Sequence, residues 1–185
     1  MSEDQQRAVS ETFEVRLSGE HGGVMLAETD AGEFTFSTSA TRSSLNNLAE
    51  VVLALAHGAD VGCVLWATEG PSDRSVFLDF ALDWQGTLAV AVHRLASWEW
   101  LQPTTMWTPR RADCVVEARV PFSQFVVNVT RELQLLRKEE TDAAGYMANW
   151  GHYFPVSLFE QLERVSARHG YMASADPRQF RGNEN

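Results

Sequence analysis

The first third of the chain alternates hydrophobic and polar residues with the two-residue period of β-strands. The segment TFEVRLS places Phe13, Val15 and Leu17 on one face. Two further strands are predicted in VMLAE and EFTFS, with turn residues between them. In SSLNNLAEVVLALAHG the hydrophobic residues instead lie three or four apart, which predicts a helix with Ser44 as its N-cap and Gly58 at its end. This part of the chain is therefore predicted to form three strands followed by a helix.

The middle of the chain predicts a buried strand and a hairpin. The run VGCVLWAT is continuously apolar and rich in valine, which favours a buried strand. The segment SVFLDFALDWQGTLAVAVHRL predicts a hairpin with a three-residue loop whose last residue, Gly86, takes the left-handed conformation. This register places the large aliphatic side chains on one face. The predicted opposite pairs are Leu82 with Leu88, Phe80 with Val90, and Leu78 with Val92.

The second half of the chain predicts two connections, a strand and two helices. The segment ASWEWLQPTTMWTPRRAD contains two prolines, so we expect a long aromatic connection rather than a central strand. A strand in CVVEARV and the longest helix, in PFSQFVVNVTRELQLLRKEE, follow. The sequon at Asn128 is interpreted as accidental, because no export signal is present. Residues 141–155 form a second connection, and Ser157, Glu160 and Gly170 mark the capping box and the end of the third helix.

These elements predict an α+β fold: one antiparallel sheet of about six to seven strands, with three helices packed mainly on one face. A chain of 185 residues fits one domain, which we place at residues 12–170. Residues 1–11 are expected to form a flexible acidic leader and residues 171–185 a flexible tail. The chain has no apolar signal and no stretch near the roughly 18 to 20 apolar residues that a membrane span needs. A soluble cytoplasmic protein is therefore expected, without membrane contact.

The charge of the chain is concentrated near its N-terminus. Residues 1–33 contain eight acidic residues and two arginines, a net charge of −6 within a total of −10. Such a field repels nucleic acid and speeds encounter with basic partners, although charges on solvated faces are the alternative interpretation. Cys63 and Cys114 lie in apolar runs, where free thiols are expected and a disulfide between them is the less favoured alternative. No Cys/His ligand spacing occurs, so we predict no metal site and no cofactor.

One pair of residues has the types needed for acid-base chemistry. The predicted hairpin places Asp79 opposite Ala91, so that His93 lies diagonally from Asp79, and such a carboxylate can orient an imidazole as a general base. A polar pair on the solvent side of the sheet is the alternative interpretation. The chain contains no G-x-S-x-G motif and no glycine-rich phosphate loop. His152, in NWGHYFP, is interpreted as a histidine hydrogen-bonded among packed aromatic residues, and the sequence favours a protein that is not an enzyme.

Three of the six tryptophans lie within ten positions of each other, in WEWLQPTTMW. Tryptophan and arginine are the residues most enriched in binding hot spots. In a strand the first two tryptophans would share a face, whereas the third lies beyond Pro103 and would be placed by the loop. A core location, with each indole N–H bonded to a buried partner, is the alternative. The predicted partner-binding residues are Trp98, Glu99, Trp100, Trp107, Arg110 and Arg111.

With its acidic first third, its order of hairpins and helices, and aromatic segments such as SWEWLQPTTMW, the chain resembles the small acidic immunity proteins that bacteria encode beside polymorphic toxins. The resemblance implies inhibition by binding, in which an acidic, aromatic surface covers the active site of a basic toxin domain. Two other functions stay open. One is a small-ligand-binding or hydrolytic domain with a pocket closed by the Trp-rich segment. The other is an oligomer-forming subunit, recognised by an apolar patch with two-fold symmetry.

Overall fold

The computed structural model describes residues 9–18, 24–30, 32–37, 44–66, 75–101, 106–139, 143–150 and 153–174. These residues form seven strands and four helices of an α+β fold. The strands are β1 (Glu14–Ser18), β2 (Val24–Thr29), β3 (Gly32–Ser37), β4 (Val61–Trp66), β5 (Val76–Leu82), β6 (Thr87–Leu101) and β7 (Met106–Pro121). The helices are α1 (Ser44–Ala56), α2 (Phe122–Glu139), α3 (Ala143–Trp150) and α4 (Val156–Ser174).

The strands form two antiparallel sheets, so the prediction of a single sheet of about six to seven strands is wrong. One sheet has the order β1-β2-β3 and the other the order β4-β5-β6-β7. In the described part of the chain a bridge at Ser10, just ahead of β1, joins them. The Ser10 N–H donates to the carbonyl of Glu117 at 2.9 Å, and the N–H of Arg119 donates to the Ser10 carbonyl at 2.9 Å. Beyond this bridge β1 turns away from β7.

The free edge of β1 is closed by two buried side chains of α2. Asn128 Oδ1 accepts a hydrogen bond from the N–H of Val15 at 2.8 Å, and its Nδ2 donates to the Val15 carbonyl at 3.1 Å. Glu132 Oε2 accepts from the N–H of Leu17 at 3.3 Å. Buried backbone groups need such partners. Side chains of a helix therefore supply the bonds that a further strand would make, which is why the sheet ends at β1 and why Asn128 has a structural role.

The predicted β5–β6 hairpin is confirmed in its register and in its turn. The Asp83 N–H donates to the Thr87 carbonyl at 3.0 Å, and Gly86 has a φ of 83°. The Asp83 carboxylate accepts the N–H groups of Thr87 and Gln85 at 2.8 and 2.9 Å, and these backbone bonds lower its pKa. The side chain of Asp83 therefore stabilises the turn by hydrogen bonds within the loop itself. The observed pairs are Leu82 with Leu88, Phe80 with Val90, and Leu78 with Val92.

The core lies between the two sheets and the helices. The ring of Phe80 on β5 lies 5.6 Å from that of Phe125 on α2, which in turn lies 6.2 Å from Phe13 ahead of β1. Helix α4 packs against α2 and α1, completing the helical layer. The opposite face of the β4–β7 sheet is exposed at several positions of the described chain. The exposed positions on that face include Cys63, Ala81, Glu117 and Arg119.

Strand β4 is only half buried, although its continuously apolar sequence predicts a buried strand. Val64 and Trp66 point into the core and are fully buried, whereas Val61 is 71% exposed. Cys63 is exposed and Cys114 is half-buried, and both thiols are free of disulfides. The physical reason is that β4 is an edge strand whose outer face lacks a covering helix in the described structure.

The first helix follows its prediction closely. Its last helical residue is Ala56, and Gly58, two residues further on, has a φ of 103°. The N–H of Ala59 donates to the Ala54 carbonyl at 3.0 Å and that of Gly58 to the Leu55 carbonyl at 3.1 Å. These two bonds form the Schellman motif, which satisfies the last carbonyls of the helix.

Two predictions about the C-terminal helices are wrong. Residues 143–150, predicted to be part of a connection, form α3, because Tyr146 and Trp150 stack four residues apart with ring centroids 6.1 Å from each other and are buried. Helix α4 begins at Val156 and continues past Gly170 to Ser174. A glycine inside a helix costs only about 0.5–1 kcal/mol, which the packing of α4 can offset. The predicted helix count of three therefore becomes four for the described chain.

The described residues at both ends of the predicted domain make contacts with the rest of the fold. Glu11, in the predicted leader, donates its N–H to the Asp30 carboxylate at 2.8 Å, and the Asp30 N–H donates to the Ser10 hydroxyl at 3.0 Å. Helix α4 includes the first four residues of the predicted tail. Residues 1–8 and 175–185 lie outside the described residues.

The segment predicted to be an aromatic connection is the continuation of two strands. Strand β6 reaches Leu101 and β7 begins at Met106, while residues 102–105 lie outside the described chain. Pro109 lies within β7, opposite Trp98. Proline is excluded from central strands because it lacks an N–H, but β7 is an edge strand, where a donor can be missing on the outer side. The two prolines therefore did not prevent strand formation.

Candidate functional site

Strands β6 and β7 continue beyond their neighbours as a two-stranded ribbon. Pairing of β5 with β6 reaches only to Val76 opposite Arg94, whereas β6 and β7 stay paired from Leu95 to Leu101. At about 3.3 Å per residue, this extension is roughly 20 Å long. We call residues 95–101 and 106–110 the ribbon. Its pairs include Trp98 with Pro109, Glu99 with Thr108, and Trp100 with Trp107.

The ribbon contains five of the six predicted partner-binding residues. The sequence placed Trp107 in a loop, detached from the sheet; this is wrong, because its backbone lies in β7 directly opposite Trp100. Arg110 lies opposite Ser97. The side chains of these five residues are outside what the structure describes, so their contact with a partner stays a prediction. They are Trp98, Glu99, Trp100, Trp107 and Arg110.

The sixth residue, Arg111, lies at the base of the ribbon and is bound within the chain. Its Nε and Nη2 atoms donate to the two carboxylate oxygens of Asp79, both at 2.6 Å. Because Asp79 lies on β5, this bond crosses β6. Three register irregularities fall between Val92 and Ser97, where the ribbon leaves the sheet, and such bulges bend and twist a strand pair. The ion pair therefore ties β7 to β5 at the point where the sheet is most irregular.

Arg111 also contacts a second residue of β5 and a residue of β4. Its guanidinium carbon lies 4.5 Å from the ring centre of Phe77, and Nη2 lies 3.2 Å from Cys63 Sγ on β4. His93 Nε2 of β6 lies 3.8 Å from Asp79 Oδ2. We call Cys63, Phe77, Asp79, His93 and Arg111 the base cluster. It brings together side chains of all four strands.

The electrostatics of the base cluster favour an ion pair beside a neutral thiol. Burial opposes ionisation of Asp79, but hydrogen bonds from Arg111 and Cys63 outweigh it, and the pKa of Asp79 is lowered. The Asp79 hydrogen bond raises the pKa of Arg111. Although the Cys63 residue is exposed, partial burial of its sulfur and the neighbouring Asp79 raise its pKa from 9.0 to about 11. At neutral pH the thiol is therefore protonated.

The predicted Asp79–His93 pair exists, but its two side chains lie beyond hydrogen-bond distance of each other. A carboxylate that orients a general base needs a hydrogen bond of about 2.6–3.2 Å, and here the atoms lie 3.8 Å apart. Both carboxylate oxygens instead bind Arg111. A thiol with a raised pKa is a poor nucleophile. The cluster is therefore arranged to hold strands together, and no group of three His, Cys, Asp or Glu residues in the described chain is placed to hold a metal.

A groove of about 600 Å³ lies on the open face of the β4–β7 sheet. Its floor consists of small residues on the two central strands, and its walls consist of larger residues on the outer strands and ahead of β1. The floor residues are Ala81, Ala89 and Ala91, and the wall residues include Val61, Cys63, Val9, Glu117 and Arg119.

Three glutamates form a row across the smaller sheet. Glu14 lies opposite Glu28, and Glu28 lies opposite Glu33. Like charges directly opposite each other are destabilising in a sheet. Arg16 offsets part of this repulsion, with its Nη2 atom 3.0 Å from Glu28 Oε2. The register of the strands thus places three of the acidic residues in the first third of the chain side by side. Their number in the sequence does not predict this arrangement.

Trp84 is a surface aromatic residue outside the set of predicted partner-binding residues. It lies in the β5–β6 turn, at the end of the hairpin opposite the ribbon, and is 91% exposed. Its place in a three-residue hairpin loop was the available sequence signal, because loop residues point away from the core. His152, the other histidine considered in the sequence, lies outside the described residues.

Comparisons with known proteins found no similarity: no family model matches the chain, and neither the curated proteins nor the solved structures contain a match. Among the described helices, none is both long enough and apolar enough to span a lipid bilayer.

Proposed function

We propose that this chain is a non-enzymatic binding protein and that the ribbon contacts its partner. The observation that carries the proposal is the extension of β6 and β7 beyond the sheet with three of the six tryptophans in it. A two-stranded hairpin is only marginally stable in water by itself. A partner that covers the ribbon would bury its aromatic residues, and tryptophans are the most frequent hot-spot residues.

The more specific proposal is an immunity-type inhibitor of a basic toxin domain. The net charge of −10 and the row of Glu14, Glu28 and Glu33 support it. Complementary charge speeds association and selects against acidic partners. The smaller sheet (β1-β2-β3), which we call the acidic sheet because of its row of glutamates, would steer a basic domain toward the protein. The ribbon would supply the contact area.

The alternative of a ligand-binding or hydrolytic pocket has less support. That function needs the Trp-rich segment to close a pocket beside groups that can do chemistry, and the described lining of the groove on the open face is mostly apolar and contains no histidine. The base cluster places Asp79 and Arg111 in an ion pair, so each charge already has its partner within the chain. The observations therefore favour binding of a protein.

The test uses the protein encoded by the neighbouring open reading frame as the probe. The two chains are co-purified and their affinity is measured for wild type and for the single variants Trp98→Ala, Trp100→Ala and Trp107→Ala. Loss of a hot-spot tryptophan costs at least about 2 kcal/mol, so at least one variant should bind about 30-fold more weakly. Trp84→Ala is the matched control, since Trp84 lies roughly 40 Å from Trp98 along the same hairpin.

Ionic strength tests the charge component of the proposal. The complex should weaken as salt is raised, mainly through slower association, because screening removes the steering by the acidic sheet. Glu14→Gln and Glu33→Gln should slow association in the same direction. Absence of any complex with the neighbouring product, or a complex weakened by Trp84→Ala and by no ribbon variant, would exclude the proposal.

A further inference from the structure

The groove on the open face is centred on a row of residues that are in register across four strands. Gly62 lies opposite Phe80, Phe80 opposite Val90, and Val90 opposite Ala118. The residues on either side of this row turn toward the open face, because side chains alternate along a strand. We call these residues the open-face patch. They are Val61, Cys63, Asp79, Ala81, Ala89, Ala91, Glu117 and Arg119.

We propose that the open-face patch is the contact surface of a weak homodimer, in which two copies stack face to face with their strands antiparallel. A two-fold axis running across the strands along the central row relates the copies. Each patch residue then lies over the residue two positions away on the same strand of the other copy. Glu117 of one copy faces Arg119 of the other, and Ala89 faces Ala91, so the patch complements itself, as an isologous interface requires.

The charge of the patch favours a second copy over a basic partner. The chain as a whole carries a charge of −10. The patch and its neighbour Arg111 contribute two acids, Asp79 and Glu117, and two arginines, Arg111 and Arg119, which sum to zero. Two copies repel each other over most of their surfaces but not here. A basic protein would instead prefer the acidic sheet, so the two surfaces suit different partners.

The apolar part of the patch gives such a dimer its contact area. Val61 and Val9, at the walls of the groove, are 71% and 46% exposed. The walls of two copies meet first, since the alanine side chains of the floor project little from the strands. Because the patch is mostly alanine and offers few large apolar side chains, the proposed dimer belongs to the weak, transient class of interfaces.

Sedimentation of the full chain from about 5 µM to about 500 µM measures the dimer. Ala89→Arg places a long charged side chain on the floor and should raise the dissociation constant at least about tenfold. Glu117→Arg places like charges opposite each other and should have a similar effect. The double variant Glu117→Arg/Arg119→Glu restores the opposite pairing and should return the dissociation constant close to that of wild type.

The control is Glu160→Arg, which makes the same change of charge at an exposed position of α4, far along the chain from the patch. Rising salt should tighten this dimer, because it screens the repulsion between two copies of charge −10. The proposed toxin complex should weaken with salt, so failure of one proposal is distinguishable from failure of the other. A chain that stays monomeric at the highest concentration, a dimer indifferent to Ala89→Arg, or a charge swap that does not restore dimerisation would overturn the proposal.

Discussion

Asn128 binds both backbone groups of Val15 from a position 113 residues away along the chain, accepting the N–H at 2.8 Å and donating to the carbonyl at 3.1 Å. The amide side chain thus replaces a neighbouring strand at the edge of β1. A buried backbone group that loses its partner costs about 1–3 kcal/mol. Helix α2 and the smaller sheet are therefore held in one relative position by hydrogen bonds as well as by packing.

We expect Asn128→Leu to lower the free energy of unfolding by about 2–4 kcal/mol, because the N–H and the carbonyl of Val15 both lose their partner. Urea unfolding followed by circular dichroism measures the change. Gln124→Leu, the same kind of substitution at an exposed position of α2, is the control and should change the stability by less than about 0.5 kcal/mol. Equal effects of the two substitutions would show that the amide of Asn128 does not support β1.

Arg111→Ala should loosen the ribbon with little effect on global stability. The ion pair with Asp79 is partly exposed, so its contribution to the free energy of unfolding is about 0–1 kcal/mol. Hydrogen exchange of the ribbon amides should become about tenfold faster, because the tie between β7 and β5 is lost where the bulges lie. Arg111→Lys should be intermediate, since an ammonium group cannot bind both oxygens in the fork geometry.

The control for this measurement is Arg119→Ala, which removes an exposed arginine from the same strand at a distance from the ribbon. Ribbon amides that exchange at the same rate in Arg111→Ala and in wild type would argue against the role of the ion pair.

Cys63 should react slowly with iodoacetamide in spite of its exposure. In a Cys114→Ser background it is the only thiol. Its pKa of about 11 means that the reactive thiolate fraction keeps rising with pH up to that value, instead of levelling off near 9.0. At pH 8 alkylation should be about tenfold or more slower than for an unstructured cysteine peptide. Asp79→Asn should speed it, because the thiol then faces Arg111 without the carboxylate; a rate that levels off below pH 9 would contradict the raised pKa.

Gly62 allows α1 to approach β4 closely. A Cβ atom at this position would lie 2.4 Å from Val51 Cγ1. We expect Gly62→Ala to destabilise the protein by about 1–3 kcal/mol through overpacking. The double variant Val51→Ala/Gly62→Ala should recover at least half of the loss, because the clashing methyl groups are gone. Thermal unfolding of the two single variants and the double variant measures this coupling, and strictly additive effects would rule out the close contact.

The sequence by itself determined the elements that depend on neighbours along the chain. The register of the β5–β6 hairpin follows from the positions of Gly86 and of the aliphatic residues on both sides of the turn. The end of α1 follows from Gly58, whose left-handed conformation closes the helix. The diagonal contact of Asp79 with His93 follows from the same hairpin. In each case the determining interactions span fewer than about 20 residues, so local periodicity and turn chemistry contain the information.

Only the tertiary structure decided how these elements are joined. A pattern of alternating residues predicts a strand but does not say whether the strands form one sheet or two. The strands divide into two sheets because Asn128 occupies the edge of β1. Arg111 binds Asp79 across an intervening strand, and Asn128 binds Val15 from helix α2. These pairings join residues that are distant in sequence, and they are selected by which partner satisfies a buried polar group or a charge once the chain is folded. No local pattern contains that choice.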